Sequence, residues 1–339
     1  MGQLTKCTFL TGALMITSSF SLLWSENKKE ETCPGNFFVQ GDFLYWKTQL
    51  NGLEFATDIS KTTGTDTQVS PTLDVITSRS RERFPRPHFE ARPGFRIAAG
   101  YNFKDCQWAL GSDWTHVKGH AHISHGPTKG HVNLDYNVVD LLVTGPQFDL
   151  GSSFQWRPFA GARFAWIHQK IKARSTFSSI QMRPSSNQNL IQTNNNRLIN
   201  NSADFRGIGP EVGVHTSWVL PKGFRVYADA DGCLPYTHYD AKLRNSFNET
   251  VLLSFVSDPT ETDLISSKDK GSATANTCQI VLDLAFGVSW QRYVCLCQHS
   301  VGCIFKLGWE HSQWFDFNSL GSQGDLFLDG LTASAQIQF

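Results

Sequence analysis

The chain ends with GLTASAQIQF (residues 330–339), in which apolar and polar side chains alternate. The odd-numbered positions from 331 onward are all apolar: Leu331, Ala333, Ala335, Ile337 and Phe339. A strand with this pattern has one face against an apolar environment and the other against water. The alternation by itself does not decide whether the apolar environment is a protein core or a lipid bilayer.

The same alternation recurs along the chain, and its polar faces favour a bilayer. In PGFRIAAGYNF (93–103) and RPFAGARFAWI (157–167), the polar face combines small residues with single charges. The apolar faces run for about ten residues and carry aromatic residues near their ends, as lipid-facing strands of a membrane barrel do. A closed barrel also pairs every backbone polar group that lipid would leave unsatisfied.

This pattern predicts an all-β fold. The fold is expected to be a transmembrane antiparallel up-and-down β-barrel over residues 37–339, with at least ten and up to about 16 strands. The ten strands are expected at 37–48, 89–103, 107–119, 134–146, 153–168, 204–219, 223–236, 277–292, 300–312 and 326–339. Long links at 49–88, 120–133, 169–203, 237–276 and 313–325 alternate with short turns. Long extracellular loops and short periplasmic turns give outer-membrane barrels this rhythm. The long links have room for further strands, one of them at 249–257.

The first 25 residues are expected to be a cleaved secretory signal peptide, followed by a periplasmic segment at 26–36. A lysine, an apolar stretch and a polar stretch follow one another in the order of such a signal. A membrane anchor helix is the alternative, and the serines and threonines in the centre of the stretch favour the signal. The chain carries 30 basic and 30 acidic residues, so we expect no nucleic-acid partner.

Five blocks together resemble a known family: FFVQGDFLYWKTQLNGLEFA (37–56), RPGFRIAAGYNF (92–103), RPFAGARFAWI (157–167), FRGIGPEVGVHTSW (205–218) and KLGWEHSQWFDFNSL (306–320). In this order the blocks are similar to the Legionella-type major outer membrane proteins and their relatives in chlamydia-like bacteria. The resemblance implies a pore-forming barrel of the outer membrane without a catalytic motif. Phe339 resembles the terminal aromatic residue that the barrel-assembly machinery receives.

Charged residues on the polar faces are the candidates for lining a pore. By parity they are Arg96, Asp113, Asp140, Arg163, Glu211, Arg225, Asp229, Asp283, Lys306 and Glu310. Inside a water-filled lumen such charges bias which ions pass. The alternative is a filled small barrel in which they form internal salt bridges and nothing passes.

Seven cysteines follow the signal segment, and six of them are candidates for disulfides. They are Cys33, Cys106, Cys233, Cys278, Cys295 and Cys297. Cys233 and Cys278 flank the link 237–276 and are expected to bridge its two ends. The other four fall on the periplasmic side, where the compartment is oxidising, and are expected to bond another copy or a cysteine-rich periplasmic protein. The alternative is a set of reduced, buried thiols.

The sequence predicts no catalytic residue, no metal site and no cofactor. The histidines of HVKGHAHISH (116–125) lack a carboxylate or cysteine to complete a metal site, and we expect them in a surface loop. We therefore expect a non-enzymatic porin that lets small hydrophilic solutes and ions diffuse. Outer-membrane lipid would surround it, and it would be either a monomer or a homo-oligomer. The alternative is a non-conducting structural or adhesive surface barrel linked into the envelope by disulfides.

Overall fold

The structure, a computed structural model, describes residues 36–52, 87–103, 107–125, 128–151, 153–183, 189–255, 258–296, 299–318 and 324–339. Fourteen strands make up almost all of this part of the chain. They are β1 (Asn36–Leu50), β2 (His88–Phe89), β3 (Ala91–Asn102), β4 (Ala109–His125), β5 (Thr128–Thr144), β6 (Phe148–Leu150), β7 (Phe154–Arg183), β8 (Asn189–Val219), β9 (Phe224–Cys233), β10 (Tyr236–Phe255), β11 (Asp258–Cys278), β12 (Val281–Leu296), β13 (His299–Asn318) and β14 (Gly324–Gln338).

Ten of these strands close into a ring, so the barrel expected from the sequence is confirmed. The order around the ring is β8-β9-β12-β13-β14-β1-β3-β4-β5-β7, and β7 pairs with β8 to close it. All of the pairings are antiparallel. Each of the ten expected strands falls on one strand of the ring.

Two further strands extend the sheet beyond the ring. β9 and β10 are separated only by Leu234 and Pro235, and both pair with β8. β11 pairs with β10, and the chain then continues into β12. The strand expected at 249–257 lies largely within β10, and the result is a projecting sheet of β7, β8, β10 and β11.

The two ends of the barrel differ in their connections. At the end where the described chain begins, at Asn36, and ends, at Phe339, β3 is followed by β4, β5 by β6 and β7, β8 by β9, and β12 by β13. At the other end, the links expected at 120–133, 169–203 and 237–276 are largely strand, and β10 and β11 are further strands of the kind for which these links were expected to have room. β4 reaches His125 and β5 begins at Thr128, which places the 116–125 histidines on a strand. Most of the link 49–88 lies outside the described residues, as do the expected signal peptide and most of the segment 26–36.

An apolar band runs around the outside of the barrel. It ends abruptly on the side that faces away from Asn36 and Phe339, which we call the upper side. On β1 the exposed side chains run from Phe37 to Tyr45, and Lys47 follows on the same face. On β4 the band ends at Trp114 and on β7 at Trp166. The next outward positions on these strands are His116 and His168. Since apolar outward residues with aromatic rims mark the lipid-facing zone, this switch marks where the wall leaves the membrane. Within the described residues no helix is long and apolar enough to cross a membrane.

Candidate functional site: the interior of the barrel

The interior of the barrel contains a polar cavity of 590 Å³ near the end that carries the termini. Its lining runs from Asn36 and Gln338 at the terminal end up to Trp46 and Tyr136. All ten charged residues selected by parity line this one cavity: Arg96, Asp113, Asp140, Arg163, Glu211, Arg225, Asp229, Asp283, Lys306 and Glu310. Whether they act on passing ions stays a prediction.

Arg163 on β7 is the centre of the larger charge cluster. Its guanidinium donates to Asp140 on β5 at 2.8 and 3.2 Å and to Glu211 on β8 at 2.9 Å. It also donates to Asp283, which lies three strands away on β12, and a fourth carboxylate, Asp231, lies 3.6 Å from it. Arg163 and Glu211 are almost completely buried, with side-chain exposures of 6% and 2%. The cluster therefore ties together both sides of the lumen.

Arg96 on β3 is the centre of a second cluster. It donates to Glu310 on β13 at 2.8 and 3.2 Å and to Thr115 on β4 at 2.8 Å. Asp42 on β1 accepts a longer bond of 3.4 Å and is itself buried. Arg96 also lies over the ring of Trp46 at 5.6 Å. Arg96 and Arg163 are thus each held by carboxylates on several strands, which is the paired arrangement of the filled-barrel alternative.

The remaining selected residues have looser environments. Asp229 lies 3.1 Å from His215, and Arg225 reaches Gln155 at 3.5 Å. Lys306 lies 5.8 Å from the centre of the Tyr227 ring. Tyr227 itself lies over two wall glycines, since a side-chain carbon at Gly287 or Gly308 would collide with its hydroxyl. Small residues in the wall therefore leave room for this part of the cavity.

Two members of the clusters were missed by the sequence analysis, Asp42 and Asp231. Both lie at inward positions of their strands. Asp42 is on the opposite face of β1 from the outward-facing Phe43, and Asp231 comes two positions after Asp229 on β9. The parity that selected the other ten residues was therefore sufficient to find them. Asp231 is the fourth carboxylate around the Arg163 guanidinium, and Asp42 is the second carboxylate at Arg96.

Above the charged clusters the lumen is filled by apolar side chains. Tyr136 on β5 and Trp314 on β13 meet edge to face with ring centres 6.0 Å apart. These two strands are five places apart in either direction around the ring of ten, so the contact crosses the full width of the barrel. Phe205 on β8 meets Trp314 at 5.7 Å and Phe317 at 5.0 Å. We call Tyr136, Phe205, Trp314 and Phe317 the aromatic plug.

The aromatic plug belongs to a larger buried cluster. Inward residues of most strands contribute to it, and none is more than 6% exposed. Its other large members are Leu44, Trp46, Leu50, Phe89, Ile123, Leu134, Tyr239, Leu326 and Leu328, with Ile167 and Ile171 from β7. At this level the lumen is therefore buried like a protein core, and protein cores contain few voids larger than a water molecule.

The described residues hold no group of three or more histidine, cysteine, aspartate or glutamate side chains that fits a metal ion. The interior clusters are instead organised around arginine, and a guanidinium occupies the position that a cation would take. These clusters hold the strands to one another through charge-assisted hydrogen bonds.

The expected Cys233–Cys278 disulfide is wrong. Cys233 is buried and Cys278 is exposed, and the two are not bonded. In the strand register Cys278 faces Tyr236, whereas Cys233 faces Val281. The offset of three residues separates the two by roughly 10 Å along the strands, beyond the reach of a disulfide. Cys33, Cys106 and Cys297 lie outside the described residues, as does the side chain of Cys295.

Phe339 ends the chain beside the first strand of the barrel. Its backbone N–H donates to the Phe37 carbonyl and its carbonyl accepts from the Phe37 N–H, both at 3.0 Å. The ring is 57% exposed on the apolar outer face. The last residue therefore closes the β1–β14 seam, and its part in assembly stays a prediction.

A family model described as the Legionella pneumophila major outer membrane protein precursor matches residues 32–333. No curated protein matches. Among solved structures, the outer membrane protease OmpT from Escherichia coli is 8% identical with a TM-score of 0.45, covering 93% of this chain and 98% of that one. A Pseudomonas aeruginosa FadL homologue is 8% identical with a TM-score of 0.30 and 90% of each chain covered. The Ralstonia pickettii toluene transporter TbuX is 8% identical with a TM-score of 0.29, covering 90% and 89%.

Proposed function

Since the chain belongs to the Legionella major outer membrane protein family and is a β-barrel of the bacterial outer membrane, we propose that it is a non-conducting surface barrel. Its lumen is closed by the aromatic plug, and its projecting sheet is the part available to other surfaces. The observation that carries this proposal is the contact between Tyr136 and Trp314, which joins opposite walls of the barrel.

The closed lumen follows from the burial of these rings. Trp314 has no exposed surface and Tyr136 retains only 3%, so the described residues leave no water-filled path beside them. An ion passing this level would have to leave water for apolar surroundings, and that transfer costs many kcal/mol. The polar cavity below the plug therefore ends as a chamber.

The projecting sheet supports the surface role. From Trp166, at the edge of the apolar band, β7 continues to Arg183, which is roughly 55 Å along the strand. β8, β10 and β11 accompany it. On β11 the side chains from Ser266 to Cys278 are exposed on both faces. A long polar sheet outside the membrane is the part of the molecule that a neighbouring cell or matrix would meet first.

The test is single-channel recording on refolded protein in planar bilayers. We expect the native barrel to give no steady conductance steps. Replacing Trp314 and Phe205 together by alanine should open the plug and produce small steps. Replacing the outward-facing Trp309 by alanine is the matched control, because it removes a tryptophan of the same strand from the outer wall and leaves the plug intact. Steps from the native barrel at the size of those from the double variant would overturn the proposal.

A second candidate function is a porin that lets small hydrophilic solutes and ions diffuse passively. The 590 Å³ chamber and its ten charged residues favour it, provided that the aromatic plug moves aside. In the same recordings a porin would show steps from the native protein, and their size would be unchanged or only modestly increased in the Trp314 and Phe205 variant.

The proposed surface barrel is not an enzyme, and its partners are the outer-membrane lipid and the assembly machinery that inserts it. A disulfide link to another copy or to a cysteine-rich periplasmic protein would fix it in the envelope. Among the cysteine candidates for that link, the structure describes the backbone of Cys295, which is the second-last residue of β12.

A further inference from the structure

The outer wall of β4, β5 and β7 carries a basic surface directly above the apolar band. Outward residues follow one another in rows set by the strand register: Lys118 with Asp135 and His168, then His120 with Asn133 and Lys170, then His122 with His131 and Lys172. Lys129 and Arg174 come next. The chain as a whole is neutral, so this wall concentrates positive charge. We call the surface from Lys118 to Arg174 on these three strands the basic wall.

A groove of 410 Å³ lies in the lower part of the basic wall. Lys118 and His120 line it from β4, and His168 and Lys170 line it from β7. The rest of its lining is Arg92 on β3, Gly119 on β4, and Asn133, Leu134 and Asp135 on the intervening strand β5. Since neighbouring strands are about 4.8 Å apart, the two lysine-bearing strands are roughly 10 Å apart, a span that suits a phosphate-sized group between two long side chains.

Among the described residues, the carboxylates near the basic wall already have partners, whereas the lysines of the wall have no carboxylate partner. Asp135 accepts from Asn137 at 3.1 Å and lies 3.6 Å from His116. Asp204 on β8 lies 2.7 Å from His168. In the part of the chain that the structure describes, no carboxylate lies within ion-pair distance of Lys118, Lys129, Lys170 or Lys172. The two groove lysines are therefore available to an external anion.

The position of the groove selects the kind of anion. Immediately below it, Trp114 and Trp166 end the apolar band with 42% and 47% of their surface exposed. Lipid chains cover those rings, so the headgroups of the same lipids lie at the level of Lys118 and Lys170. From this geometry we infer that the groove binds a phosphate group of a phosphorylated glycolipid in the outer leaflet, with the acyl chains of that lipid against the two tryptophans.

The experiment is native mass spectrometry of the full-length barrel released from lipid nanodiscs. The probe is a bis-phosphorylated, acylated glucosamine disaccharide, compared with the same lipid after enzymatic removal of its phosphates. We expect the native barrel to retain the phosphorylated lipid, and we expect Lys118→Ala with Lys170→Ala to weaken its binding by about tenfold or more, since each lysine near a charged headgroup contributes on the order of fivefold. Lys118→Arg with Lys170→Arg should keep most of the binding.

Lys242→Ala is the matched control. Lys242 occupies the same row as Lys170 two strands away, but it lies 3.9 Å from Asp240 and outside the groove. All variants should migrate as folded, heat-modifiable barrels. Equal retention of the phosphorylated and dephosphorylated lipids would overturn the inference, and so would an equal loss in the Lys242 variant. Displacement of the lipid by millimolar inorganic phosphate would show a general anion site and would also overturn it. None of these outcomes depends on whether the lumen conducts.

Discussion

Arg163→Met is the substitution that tests the interior most directly. The guanidinium makes hydrogen bonds to Asp140, Glu211 and Asp283 and lies near Asp231. Methionine is similar in length but carries no charge, so the substitution leaves buried carboxylates facing one another without a cation. Removing one partner of a buried, hydrogen-bonded charge cluster costs about 3–5 kcal/mol. We expect the free energy of unfolding to fall by that amount.

Two further variants separate charge from packing. Arg163→Lys keeps the positive charge but loses the planar fork that reaches several carboxylates at once, so its loss should be about half as large. Combining Arg163→Met with Asp140→Asn and Glu211→Gln removes the positive charge of the cluster together with two of its negative charges. This triple variant should recover a large part of the stability that Arg163→Met alone loses, because fewer buried charges remain without a partner.

The assay is urea-induced unfolding of the barrel in lipid vesicles, followed by tryptophan fluorescence. Lys242→Met is the control for a basic residue on the outer wall, where the loss should be below about 1 kcal/mol because surface ion pairs contribute little. The reasoning fails if Arg163→Met unfolds at the same urea concentration as the native protein. It also fails if the triple variant is less stable than Arg163→Met, because repulsion among the carboxylates would then not be the cause of the loss.

Three further predictions concern assembly, charge and the envelope. Deleting Phe339 should reduce the heat-modifiable barrel in the outer-membrane fraction while export continues, since its backbone closes the seam with Phe37; an unchanged barrel yield would count against a role in assembly. In the opened Trp314 and Phe205 variant, adding Arg96→Glu should move the reversal potential in a salt gradient towards cations, and an unchanged potential would show that Arg96 does not face the path. Non-reducing gels of native envelopes, with thiols trapped before lysis, should show large species that collapse on reduction, whereas a monomer band under both conditions would exclude intermolecular bonds through Cys33, Cys106, Cys295 and Cys297.

The inward and outward faces of the strands could be predicted because side-chain direction in a strand depends only on parity. Arg96 and Arg163 illustrate this, since each lies at an inward position of its strand and each lines the cavity. Their partners were harder to predict. Arg96 pairs with Glu310 from three strands away, and such a contact depends on the number of strands and their stagger, which the alternation does not contain.

The lengths of the outer strands could not be predicted for a different reason. Residues 189–203 include a run of asparagines, a residue type that is depleted in strands, and the sequence therefore favoured a loop. In the structure this segment pairs with β7 on one side and β10 on the other. The ladders begun inside the membrane continue outward, and their backbone hydrogen bonds override the local preference of the side chains.

The closure of the lumen follows from the width of the barrel together with the size of its inward residues. Ten strands about 4.8 Å apart and tilted by about 40° give a backbone diameter of roughly 20 Å. At the level of the cavity the inward positions include small residues such as Ala98, Gly111 and Ala285, which leave space at the centre. One level higher they include Tyr136 and Trp314, whose rings meet across that same diameter. A change from small to large inward residues along the strands is therefore sufficient to turn one barrel into a chamber below and a closed core above.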